Sequence, residues 1–166
     1  CLMVARRRSA LRRLQELLRS DAVEKRYLAL LGGRTRKGRF TVDAPLRKNT
    51  LQGGERVVRV DPTGKPSRTH FTVLERFDDC FLAEVVLDTG RTHQIRVHAA
   101  HAGFPLLGDP KYGDAERNTA LRQRGLRRLF LHAASLRFPW GEDGRLLTVE
   151  APLPDELQQV LEALRA

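Results

Sequence analysis

Gly90-Arg91-Thr92-His93-Gln94-Ile95-Arg96-Val97-His98 crowds guanidiniums, imidazoles and a carboxamide between a strand-like run, Glu84 to Leu87, and a helical one. Buried polar atoms without partners are expensive, so this density of polar groups has to be paired or used. Thr92 is the expected N-cap of a helix from His93 to Ala102, ended by Gly103, with Ile95, Ala99 and Ala102 turned to the core. Arg96 follows Ile95 by about a quarter-turn, at the core boundary. A partly buried guanidinium needs an anion, and either a carboxylate of the protein or a phosphate serves. Further on, Asp109-Pro110-Lys111-Tyr112-Gly113-Asp114 makes a second polar cluster. An anion is handled here.

Around this junction the chain reads mostly as strands. Val23 to Leu31 is one, closed by Gly32-Gly33. Arg56 to Val60 alternates at period two and enters a turn at Asp61-Pro62-Thr63-Gly64, where Pro62 and Gly64 are expected to supply fixed and permissive backbone angles. Thr69 to Phe77 and Cys80 to Leu87 form a hairpin about Asp78-Asp79, and Leu129 to Phe138 and Arg145 to Glu150 are late strands. Residues 34 to 56 read as a basic loop, with Pro45, Asn49 and Gly53-Gly54. Ser9 is the expected N-cap of a helix carrying Leu11, Leu14, Leu17 and Leu18, with Arg12, Arg13 and Arg19 on its other face. Pro154 and Asp155 open a last helix with Leu157, Val160, Leu161 and Leu164 inside. Strands outnumber helices and short turns join them, so the class is α+β with a largely antiparallel sheet, and residues 1–166 read as a single domain.

Composition narrows the partner. Lys plus Arg is 30 against 20 acidic residues, a formal charge of +10 carried mainly by arginine, which grips phosphate bidentately. Nucleic-acid contact and a solvated basic face both fit that charge. No apolar run approaches the ~20 residues of a membrane span. Cys1 and Cys80 stand without a CxxC or a secretory segment, which points to the cytoplasm. The opening Cys1-Leu2-Met3-Val4-Ala5 has neither an initiator methionine nor a polar lead-in and reads as the start of an excised piece. His93 and His98 do not share a helix face, so a metal site is disfavoured; a nucleophile elbow, a Walker loop and a dinucleotide fingerprint are all missing. Tyr27 reads either as a core aromatic or as a stacking platform.

Gly90 to His98, Gly103-Phe104-Pro105-Leu106-Leu107-Gly108-Asp109 and Lys111-Tyr112-Gly113 together resemble the signature of the RluA-type pseudouridine synthases. Lys25 to Leu30, Ala44-Pro45-Leu46, Leu129 to Ala133 and Glu150-Ala151-Pro152 extend the resemblance over essentially the whole chain. Arg47 to Val57 looks most like members acting on large-subunit ribosomal RNA. The resemblance implies the pseudouridine-synthase catalytic fold, a mostly antiparallel mixed sheet flanked by helices. It implies isomerisation of specific uridines in 23S ribosomal RNA, without metal, cofactor or nucleotide; apart from the resemblance, a monomer is the default state and no membrane partner is expected. It also implies that Arg96 pairs with an essential aspartate, Tyr27 stacks on the target base and Leu131 lines its pocket. That aspartate belongs to an H-R-L-D-x-x-T-S-G motif preceding the segment equivalent to Leu2 to Ala5. This chain alone is therefore expected to be inactive, and Asp88-Thr89-Gly90 only echoes the motif. Arg91, His93, Lys111, Arg12 and Arg13 are candidate RNA contacts. A non-catalytic RNA-binding module for ribosome assembly is the alternative on the same fold.

Overall fold

The computed structural model describes residues 1–50, 56–141 and 143–166. Along the first half run α1 (Arg8–Arg19), β1 (Glu24–Gly32), β2 (Arg39–Asp43), β3 (Leu46–Thr50), β4 (Arg56–Val60), β5 (Arg68–Arg76) and β6 (Cys80–Leu87). α2 (Gln94–His101), α3 (Ala115–Gln123), β7 (Leu131–Pro139), β8 (Leu146–Glu150) and α4 (Asp155–Arg165) follow. One six-stranded sheet has the order β2-β5-β6-β1-β7-β8, with every neighbouring pair antiparallel; β3 and β4 pair apart from it. The class is α+β, as the strand count and short turns require.

Period-two alternation along β1 sets the layers. Ala29 and Leu31, with Tyr27 at their edge, join Phe71, Phe81, Val85, Ile95 and Ala99 on the face that α2 covers. Leu30 points the other way, into a cluster with Leu82, Leu121, Phe130 and the Leu157, Val160 and Leu161 stripe of α4. A smaller cluster of Val23, Leu136 and Phe138 carries α1. Among the described residues no helix is long and apolar enough to cross a membrane.

Several expectations are corrected. The stretch from residue 34 holds two strands, not only a basic loop. β2 pairs with β5, its Val42 buried and its Phe40 stacked on Phe71 at 4.7 Å, while β3 pairs with β4 with Leu46 turned inward. Residues 51–55, which hold Gly53-Gly54 and the middle of the stretch likened to ribosomal-RNA enzymes, lie outside the described residues. Ser9 does not cap α1: Arg7 holds the extended N-cap position without a side-chain bond, so Ser9 is already helical. Only Leu14 and Leu17 of the expected stripe pack inward; Leu11 and Leu18 are exposed. Nor does Thr92 cap α2. His93 occupies that position at φ 53°, and Gln94 Oε1 instead accepts from the Arg91 amide (3.0 Å) and Thr89 Oγ1 (2.8 Å).

Two glycines are fixed by close approach. Gly64 closes its turn by donating to the Asp61 carbonyl at 2.8 Å, and a Cβ there would lie 2.5 Å from the Leu46 carbonyl carbon. Space rather than a left-handed φ excludes a side chain. Gly108 needs both: its φ is +76°, and a Cβ would come 2.1 Å from the Arg128 carbonyl oxygen. This is the turn that delivers Asp109.

Candidate active site

On its β7 side, β1 shifts register between Arg26 and Tyr27, a bulge of the kind that re-aims a side chain. Tyr27 is thereby presented at the rim of a cavity of about 230 Å³ whose walls are Leu87, Arg91, His93, Gln94, Arg96 and Leu131. Drug-sized sites run to roughly 300–1,000 Å³, so this one is matched to a single ring. It combines an aromatic face, aliphatic walls and cations at the rim.

The fold thus gathers five expected site residues, Tyr27, Arg91, His93, Arg96 and Leu131, around one space. Lys111 lies just outside, with Nζ 5.9 Å from the centre of the Tyr112 ring. Arg12 and Arg13 are elsewhere, on α1. Arg13 is committed there, donating to the Gly141 carbonyl at 2.6 Å and lying over the Trp140 ring.

Arg96 has its anion within this chain. Nε donates to Asp109 Oδ2 at 2.8 Å and Nη2 to Oδ1 at 2.7 Å, with the arginine side chain 17% exposed and the carboxylate fully buried. Asp109 is a partner the sequence reading did not assign to Arg96; the carboxylate preceding the chain, which the family resemblance implies, would be a second one. The guanidinium still has a free edge: Nη1 takes no hydrogen-bond partner among the described residues, and Arg96 lines the cavity. Burial alone would raise the Asp109 pKa. Arg96 and the amides of Lys111 and Tyr112 outweigh it and hold the carboxyl below its ordinary range. The same pairing raises the Arg96 pKa.

Tyr112 ties this pair to the paired strands β3 and β4. Its ring lies 4.9 Å below the Arg96 guanidinium, and its hydroxyl accepts from the Val58 amide at 2.9 Å. The hydroxyl proton then goes to His93 Nδ1, 3.1 Å away, which leaves the His93 proton on Nε2. Burial, then Arg96 and Lys111, lower the His93 pKa. A neutral donor, not a cation, is what His93 offers.

His98 is a structural histidine. It is fully buried; Nε2 donates to the Ala44 carbonyl at 2.9 Å, so Nδ1 accepts from Thr69 Oγ1 at 2.8 Å. Burial lowers its pKa against the opposing Ala44 bond. A depressed folded pKa stabilises fully above the unfolded value, about 6.5, and this contribution is lost as pH falls through the folded one. The melting temperature should therefore fall as pH drops below about 6.5, while the His98 ring resonances titrate below the ordinary histidine value of about 6.5. A ring titrating at or above 6.5 would contradict this.

Sequence reasoning missed the partnerships of Asp109, Gln94 and Tyr112. Gln94 is 2% exposed, and its Nε2 donates to the Arg68 carbonyl (2.9 Å) and Thr69 Oγ1 (3.0 Å). Asp109 had a local signal. An aspartate followed by proline favours a turn in which the carboxylate caps the next amides, as it does here for Lys111 (2.9 Å) and Tyr112 (3.1 Å). The start of the chain also reaches this region: the Cys1 nitrogen donates to the carbonyl of Ala133, the β7 partner of Tyr27.

Residues 1–101 match the family model described as RNA pseudouridylate synthase. The chain is 50% identical over 164 residues to the ribosomal large subunit pseudouridine synthase C of Yersinia pestis, covering 99% of this chain and 51% of that protein. The protein of the same name in Escherichia coli K12 is 48% identical over 166 residues, 99% of this chain and 52% of its own length. The chain thus spans about half the length of these curated relatives. Among solved structures, human RNA pseudouridylate synthase domain containing 1 superposes with a TM-score of 0.76 at 30% identity, covering 98% of this chain and 74% of that one.

Proposed function

Because the chain belongs to the RNA pseudouridylate synthase family, we propose that it isomerises uridines of large-subunit ribosomal RNA to pseudouridine. One observation carries this reading: Tyr27, Arg96 and Leu131 meet around a cavity sized for one ring. The target uracil stacks on Tyr27 against the aliphatic wall of Leu131. Extracting a base from folded RNA costs a few kcal/mol, which this stacking and the basic surface offset.

The chemistry needs a carboxylate aimed at C1′. We assign it to an aspartate in the segment preceding Cys1, and the free Nη1 edge of Arg96 is placed to hold it ionised. The route is short, since the Cys1 nitrogen lies against Ala133 beside Tyr27. Asp109 aims Arg96 from the opposite edge. The C1′–N1 bond breaks, the uracil turns within the cavity and C1′–C5 forms; the C5 proton leaves to solvent and N1 takes one up, so the product is an isomer. No cofactor takes part, and the enzyme works on ribosomal RNA in the cytoplasm as a monomer.

The 166-residue chain alone should release no tritium from ribosomal RNA labelled at uracil C5, whereas the full-length protein should. Release by the chain alone at the full-length rate would place the essential carboxylate within these residues.

A further inference from the structure

Next to the base cavity lies a second recess of about 330 Å³, floored by Leu46 and Val58 and ringed by Lys48, Lys65, Gly90 and Arg91. Its cations come from separate parts of the chain: Lys48 from β3, Lys65 from the turn after β4, and Arg91 from the loop before α2. No acidic residue among the described ones lines it. We propose that this recess is a phosphodiester subsite, holding the RNA backbone beside the uridine in the Tyr27 cavity. The proposal rests on the RNA-modifying reading above and adds where the strand is gripped.

A solvated basic face is the competing explanation, and the neighbouring cations argue against it. Arg47 and Arg59 share Asp61, and Arg68 pairs with Asp43 at 2.6 Å. Lys48, Lys65 and Arg91 are exposed, and none of them has an ion pair among the described residues. Among the described residues the arginines around the recess are neutralised and the cations on it are not. Like charges gathered without a counter-ion repel, and a bound anion removes that cost.

Their backbones are also fixed in advance. Lys65 and Leu46 exchange hydrogen bonds of 2.8 and 2.9 Å, and the Arg91 amide is held by Gln94 Oε1 at 3.0 Å. Gly90 keeps the rim low, and a Cβ there would lie 3.3 Å from Lys25 Nζ. Arg91 lines both recess and base cavity, so the two hollows are adjacent along one strand path. A single-stranded backbone with one base turned out of the stack presents that pair of features: a ring and a neighbouring phosphate.

The test uses the full-length protein carrying Lys48→Gln and Lys65→Gln together, against a charge-matched control with Arg122→Gln and Arg127→Gln. The lysine pair should raise KM for ribosomal RNA about tenfold with kcat within about twofold. It should also flatten the slope of log affinity against log salt by about 0.7 for each phosphate that is no longer neutralised. The control should change neither. Equal behaviour of the two pairs would overturn the subsite, as would a loss of kcat at unchanged KM. If the wild type binds RNA but does not isomerise uridine, the proposed activity fails, while the salt slopes still decide the subsite.

Discussion

Arg96→Met should destabilise the protein by about 3–5 kcal/mol, and adding Asp109→Leu should restore much of that loss. Arg96 and Asp109 form a two-bond pair whose carboxylate has no exposure. Removing the arginine leaves a buried charge supported, among the described residues, by the Lys111 and Tyr112 amides alone. Removing both charges leaves an apolar contact under the Tyr112 ring, which costs far less than half an ion pair. Neither variant should regain turnover. In the full-length enzyme both are expected to lose at least about a thousandfold in uridine conversion, the scale of deleting a preorganised charge at the reacting centre. RNA affinity should stay within a few-fold, because Arg96 faces a carboxylate and not the backbone. Thermal melts and RNA titrations on the single and double variants separate these roles. A double variant as unstable as the single one would show that the pair is not coupled. An equal loss of RNA binding would make Arg96 a phosphate contact.

Tyr27→Leu should lower kcat/KM by about 5- to 150-fold, the equivalent of the ~1–3 kcal/mol that one base–aromatic stack contributes. Tyr27 is only partly buried, at the margin of the main cluster, so folding should change little. Its hydroxyl stays protonated, because burial raises its pKa. Tyr27→Phe keeps the ring and should keep the KM of the wild type, whereas Tyr27→Leu raises it. A leucine variant with unchanged kcat/KM would return Tyr27 to the core.

The long, strongly patterned elements were legible. β1, the β5–β6 hairpin, β7 and α4 follow from alternation or helical spacing, because their inward residues supply most of the two large clusters. β2 and β3 were hidden, since Val42, Ala44 and Leu46 are the only buried positions among the described residues of a short basic stretch and so leave a weak period. α3 has one buried residue, Leu121, and offers no stripe to read. At the site, the polar crowding of Gly90 to His98 showed that Arg96 needs an anion but not which one. Asp109 is close only because the chain turns back at Gly103 and Gly108, both at positive φ. Gln94 shows the same limit: a carboxamide can be seen in the sequence, but its four hydrogen bonds tie the start of α2 to the preceding loop and to β5, which only the fold brings together.

In the proposed reaction this cavity turns over uridine with Arg96 as its charged wall. Tritium release from uracil-C5-labelled large-subunit ribosomal RNA tests it, with the full-length wild type beside the full-length Arg96→Met, Asp109→Leu variant. Both proteins are first shown to be folded and to bind the RNA. Release by the wild type and none above background by the variant is the expected result. A wild type that binds without releasing tritium would make the chain an RNA-holding assembly module, and equal release by both would remove Arg96 from the reaction.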